Sequence, residues 1–377
     1  MQTYKLWEIA DYINGRAFKP TEREMEGLPI IRIQNLNNSD TIFNYSSKNI
    51  DKKYLVEDWD LLFARSWSLW AFIRNRGDAW LNQHIFKIIQ NKQIIDKKYF
   101  YYLLLSLIKN FESRTHGATM VHITKPEFMN TKINLPPLAT QRTIVDKLDK
   151  LQSLIDLKKQ AITKTNELTK AIFLEMFGDP MTNEKGWEVR KMKSICNKIT
   201  DWTHDTPERL KKWIMFITWK NIRQFQFDLS DLDYVSSEVH EIIYQRCNPE
   251  YEDVLYTNIW VNMWTAVLNT FKFPFSMKNV ALFKPNRNNL IWYYLTHLLN
   301  FQQFKTTLLW NNWKWWAQWF LSLDVLRNLN IPLPPLSLQQ KFADIITKLQ
   351  ASTDKHKQAL AKLEELYQAT MQSSFKL

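Results

Sequence analysis

The segment INLPPLATQRTIVDKLDKL, beginning at Ile133, returns 198 residues later as IPLPPLSLQQKFADIITKL, beginning at Ile331. The offset holds without a gap for some forty residues: Leu151 matches Leu349, Glu167 and Leu168 match Glu365 and Leu366, and Phe177 matches Phe375. Internal duplication constrains a fold more than any local pattern, because whatever one copy forms the other must form too. In the second copy, apolar or small residues fall at Phe342, Ile346, Leu349, Thr353, His356, Leu360, Leu363, Tyr367 and Thr370. Steps of four and three make this a coiled-coil seam. The first copy carries a looser seam through Ile144, Leu148, Leu151, Ile155, Ile162, Thr169 and Ile172. Neither helix interior contains Gly or Pro, and Ser337 with Gln340 has the spacing of a capping box. Two long helices are predicted, 139–178 and 337–377, each about 57 Å long at about 1.5 Å per residue.

The stretches upstream of each helix repeat more loosely. LPIIRIQNLN from Leu28 matches IMFITWKNIR from Ile214 at an offset of 186, and DLLFARSWSLWAFI from Asp60 matches DVLYTNIWVNMWTAVL from Asp253 at 193. Drifting offsets mean loop insertions. Short β-type runs at Ile30–Ile33 and His84–Ile89 mix with helical stretches at Tyr99–Asn110 and Leu290–Phe301. The expected fold class is therefore α+β, with domains 1–138 and 179–336 separated by two long antiparallel coiled-coil helices in a pseudo-two-fold repeat.

A formal charge of +12 over 377 residues favours a polyanionic partner, since Lys and Arg that displace condensed counterions bind nucleic acid with little need for geometry. The longest apolar run, Tyr99–Ile108, is about half of a bilayer span, and no apolar signal segment follows Met1. Cys196 and Cys247 belong to no CxxC pattern. A cytoplasmic chain without a membrane partner is expected.

Six glycines stand beside 17 tryptophans, where ordinary usage gives roughly 26 glycines. Between the halves, Gly27 faces Trp213 and Gly117 faces Trp316. Trp is a poor substitute for Gly, which occupies positions of positive φ or close backbone approach. All tryptophans except Trp80 and Trp187 lie in contexts that read as glycine positions. Reassigning those fifteen gives 21 Gly and 2 Trp, close to ordinary usage. UGA codons translated as Trp where the source reads Gly account for this. The competing reading is a base-stacking surface, strongest in LLWNNWKWWAQWF at Leu308–Phe320, where Lys314 is ringed by indoles.

Catalytic constellations are missing. The Asn-Pro-Pro-aromatic signature of adenine methylation is approached only by Asn248, Pro249 and Glu250, without the second proline. No Gly-rich cofactor loop or P-loop follows a strand. The seven histidines lack metal-ligand spacing. No catalytic, cofactor or metal residue is assigned.

The duplicated LPPL helix starts, DLLFARSWSLWAFI, GDAWLNQHIFKI from Gly77, GATMVHITKPEF from Gly117 and the joining FLEMFGDP from Phe173 together resemble the specificity subunit of type I restriction-modification systems, over essentially the whole chain. The resemblance implies two target-recognition domains, each reading one half of a split double-stranded DNA site. It also implies that the helices dock two methyltransferase subunits using S-adenosylmethionine, with a restriction/translocase subunit using ATP and Mg joining for cleavage. No cofactor is expected in this chain itself. Other readings are a solitary DNA-binding or coiled-coil adaptor protein, or the recognition part of a fused methyltransferase. Candidate DNA contacts combine charge for phosphates with donors for base edges. In the first domain these are Arg65, Ser66, Ser68, Arg74, Arg76, His116, Thr119 and Lys125. In the second they are Asn258 and Asn262, then Lys314 and Gln318, with Thr203, His204, Lys220 and Arg223.

Overall fold

A computed structural model describes residues 2–38, 40–66, 69–112, 123–201, 206–258, 264–311 and 321–375, with the backbone alone at 307–311. The chain forms two compact units. Unit 1 comprises Met1–Lys159 and Lys357–Leu377, and unit 2 comprises Gln160–His356.

Among the described residues, unit 1 builds two four-stranded sheets and a two-stranded ribbon. Strands Ala10–Asn14, Ile85–Gln90, Leu61–Ala64 and Trp70–Ile73 lie in that spatial order, all antiparallel. The central LLFA strand is buried at every position, as a strand covered on both faces must be. In the other sheet the order is Asn44–Ser46, Leu28–Ile31, Ala79–Leu81 and Leu55–Val56, with the middle pair parallel. Helix Lys97–Glu112 covers the first sheet and buries Tyr99, Phe100, Leu103, Leu107 and Phe111. Phe63, Phe86, Phe111 and Phe128 pack ring against ring at centroid distances of 4.8–5.7 Å, within the range that aromatic clusters favour.

Unit 2 repeats this plan. Strands Cys196–Asp201, Ala281–Pro285, Val254–Tyr256 and Ala266–Leu268 reproduce the first sheet, and Asp233–Val235, Ile214–Thr218 and Ser276–Lys278 reproduce three of the four strands of the second, again with a parallel pair. The terminal ribbons also correspond: Gln2 pairs with Leu135 in unit 1, and Glu188 pairs with Leu333 in unit 2. The structure shifts some expected bounds. The strand lies at Leu28–Ile31, and Ile33 instead opens a short helix to Asn37, because the Asn35 side chain accepts the Arg32 N–H and caps it.

The long helices span Leu138–Phe177 and Leu336–Ser374. They pack antiparallel: Val145 and Leu148 from the start of one join Met371 and Phe375 from the end of the other in the unit 1 core. Phe173 and Phe177 join Phe342 and Ile346 in that of unit 2. Leu151 and Ile155 in unit 1 and Thr353 in unit 2 are also buried. Ser337 does not cap the second helix, which starts one residue earlier. Its first turn is tied instead by fully buried Gln339, whose Nε2 donates to the Pro334 and Asn289 carbonyls while Oε1 accepts the Ile291 N–H at 2.8 Å. Gln141 does the same in unit 1, donating to Pro136 and Ile94 and accepting from Asp96. Each helix is thereby clamped to the loop that enters its own unit's sheet-covering helix.

Candidate nucleic-acid interface

Arg65 directly follows the buried strand Leu61–Ala64, and Asn258 stands two residues past the end of its counterpart Val254–Tyr256. The two positions share a second feature. Ile123 N–H donates to the Arg65 carbonyl at 3.2 Å, and Leu321 N–H donates to the Asn258 carbonyl at 2.7 Å. Ile123 and Leu321 are themselves 198 residues apart. In each unit, therefore, the chain that carries the second predicted cluster returns to the strand end that carries the first. His116, Thr119, Ser68, Thr203, His204, Asn262, Lys314 and Gln318 lie outside the described residues, as does most of the Trp-rich stretch.

At that strand end the Arg65 guanidinium stacks over the Phe86 ring at 5.4 Å. Its Nε is buried without a hydrogen-bond partner among the described residues. Burial lowers its pKa, yet guanidinium stays charged at any physiological pH. A stacked, incompletely paired arginine suits planar recognition of a base edge or phosphate. Ser66 is buried beside His84 Nδ1 at 3.3 Å.

Other predicted residues have different employment. Arg74 is 5% exposed and donates to the Gly77 and Arg76 carbonyls at 2.8 and 2.7 Å, so it shapes its own loop. Asn258 is buried, with Nδ2 on the Leu321 carbonyl, so it too orders backbone. Lys125 is exposed in the first turn of helix Lys125–Met129, which Thr124 and Glu127 close with a capping box.

Arg76 in unit 1, and Lys220 and Arg223 in unit 2, each lie at a second position that is equivalent in the two units. Arg76 is exposed and donates to the Asn35 carbonyl at 3.3 Å. Lys220 pairs with Asp231 and Asp233 at 2.8 and 3.0 Å, and these carboxylates raise its pKa. Arg223 bonds the Lys220 and Ile222 carbonyls and pairs with Asp228. The residue at the centre in both units is an asparagine that sequence reasoning passed over: Asn35 and Asn221, aligned at the 186 offset and 2% and 1% exposed. Its signal was available, as the one polar identity shared by LPIIRIQNLN and IMFITWKNIR.

The thiols are unsuited to nucleophilic work, since burial pushes Cys196 up to about 12 and raises Cys247. His297, packed between the Phe225 and Phe342 rings, falls to about 4 through burial. His240 bonds Ser276 at 2.9 Å. No helix among the described residues is long and apolar enough to cross a membrane.

Comparison with known proteins agrees with this duplicated reader. The sequence profile of the type I restriction modification DNA specificity domain matches residues 1–168 and again 184–365. The type I restriction enzyme EcoBI specificity subunit of Escherichia coli is 25% identical over 400 aligned positions, covering 98% of this chain and 84% of that protein. The MjaVIII specificity subunit of Methanocaldococcus jannaschii is 26% identical over 212, covering 52% of this chain and 49% of its own. Among solved structures, the S subunit of a type I restriction-modification system from M. genitalium superposes with a TM-score of 0.63 at 14% identity, covering 100% of this chain and 96% of that one. A chain solved in a study of complex assembly in the type I R-M system gives 0.60 at 18% identity, covering 99% and 97%. A two-fold match spanning nearly every residue, on a chain whose two halves share one topology, places this protein in the type I restriction-modification DNA specificity family.

Proposed function

We propose that this chain is the DNA-reading subunit of a type I restriction-modification complex, binding double-stranded DNA at a two-part site with one part read by each unit. The observation that carries this reading is the duplication of a whole reader: the same two sheets, the same strand end and the same return of chain to it, with different side chains displayed in the two copies. A site split in two follows from a chain that holds two readers, as half-sites follow from dimers. In this reading two methyltransferase subunits and a restriction/translocase subunit supply the chemistry, and S-adenosylmethionine, ATP and Mg belong to them. The chain alone performs neither methyl transfer nor cleavage.

The test is selection from a random duplex library by the isolated chain, together with incubation with labelled S-adenosylmethionine and DNA. A two-part consensus without methyl transfer is expected. Methyl incorporation without a partner subunit would identify a fused enzyme, and the absence of any sequence preference would leave a structural adaptor.

A further inference from the structure

The paired asparagines do more than cap. Asn35 Oδ1 accepts the Arg32 N–H at 3.1 Å, while its Nδ2 donates to the Thr41 and Ile42 carbonyls, both at 3.3 Å. Asn221 Oδ1 accepts the Thr218 N–H at 3.0 Å, while its Nδ2 donates to the Asp228 and Asp231 carbonyls at 3.1 and 3.0 Å. One buried amide thus performs the same two tasks in both units: it closes the turn after the parallel strand, and it pins the following loop by two carbonyls. A buried amide with all its groups engaged fixes backbone firmly, because leaving any of them unpaired is costly.

What the pinned loops display differs. In unit 1, Ile42 is 84% exposed, and Arg32 donates to its carbonyl at 3.3 Å. Arg76 donates to the Asn35 carbonyl. Among the described residues no carboxylate pairs with either arginine. In unit 2, Leu229 is 44% exposed beside Asp228 and Asp231, which hold Arg223 and Lys220, and an open pocket of about 490 Å³ lies between Arg223 and Leu229. An identical support beneath divergent tips is what a reader needs if two copies are to read different sequences. An exposed aliphatic suits the thymine methyl, an arginine suits guanine, and a carboxylate suits the cytosine amino group.

We propose that Asn35 and Asn221 are positioning residues for two equivalent base-reading loops, and that Ile42 and Leu229, with the ionic groups beside them, determine which bases each unit accepts. This inference rests on the DNA-reading function proposed above.

The experiment is selection from a random-sequence duplex library on the full chain, comparing wild type with Asn35→Asp, Ile42→Ala, Asn221→Asp and Leu229→Ala. Asn→Asp keeps the Oδ1 acceptor and removes the Nδ2 donor, so it releases the loop without opening a cavity. Asn35→Asp is expected to lower discrimination about tenfold in one part of the site and leave the other part intact. Ile42→Ala should change base preference within that same part; its side chain is too exposed for a packing role to mimic the effect. Asn221→Asp and Leu229→Ala should act on the other part. If Asn35→Asp fails to fold by circular dichroism, Ile42→Ala decides for unit 1. Folded variants that retain both parts of the wild-type consensus overturn the proposal. A wild-type chain that enriches no sequence overturns the DNA-reading function itself, a separately recognisable result.

Discussion

Trp213 stands at φ 114° where its partner in the repeat, Gly27, stands at φ 105°. A residue with a Cβ at such an angle costs about 1–3 kcal/mol, and the Trp213 side chain recovers little of it, being 68% exposed. Trp59 and Trp264 also have positive φ, at 71° and 46°. By contrast Trp80 and Trp187, the two whose contexts read as genuine tryptophan, use their indole N–H groups on the Ser46 and Phe177 carbonyls. Backbone angle therefore singles out three of the positions that composition grouped. Trp213→Gly is expected to raise stability by about 1–3 kcal/mol, read as a higher urea midpoint at unchanged slope, with Trp213→Ala gaining clearly less. Equal gains from the two replacements would remove backbone conformation as the cause. In the gene, these positions are expected to be UGA.

At the scale of elements, the join between each long helix and its unit rests on one glutamine. Gln339→Leu preserves bulk but strands the Ile291 N–H and the Asn289 and Pro334 carbonyls in a buried site. A loss of about 2–4 kcal/mol is expected. Neighbouring Gln340 is exposed and, among the described residues, its side chain bonds Asp344 one turn along the same helix, so Gln340→Leu should change stability by less than about 0.5 kcal/mol. Comparable urea midpoints for the two variants would show that packing of Phe342 and Ile346, not the amide, holds the helix start. The helices themselves were legible from their seven-residue spacing. Their first turns were not: Pro-Pro marks a boundary without saying which side chain closes it, and the closing partner lies about fifty residues earlier, at Asn289 and Ile291, a distance that periodicity does not bridge.

For the whole molecule, both helices run unbroken through the boundary between the two units. An inserted heptad adds about 10 Å of helix while keeping the seam in phase, or roughly three base pairs at about 3.4 Å each. Seven residues inserted after Lys159, with seven more after Lys357, should therefore lengthen the unspecified gap in the proposed two-part site and leave both parts unchanged. Two residues at the same places should break the seam and lower stability. Methylome sequencing of cells carrying the variant with its methyltransferase partner reports the gap. Altered parts with a fixed gap would show that the helices do not set the spacing.

The order of elements, the duplication and the positions of both helices were determined by the sequence alone, because hydrophobic period and exact repetition are properties of neighbours along the chain. Which polar residues face outward was decided only by tertiary structure. Arg65, Arg74 and Arg76 look interchangeable as cations in one loop region. Folding stacks the first over Phe86, buries the second against backbone carbonyls and leaves the third exposed beside Asn35. The same holds for Lys220 and Arg223, whose charges are met by Asp228, Asp231 and Asp233. Burial and pairing are set by groups distant in sequence, and an amide such as Asn35 acquires its role only when the loop it holds has come back to it.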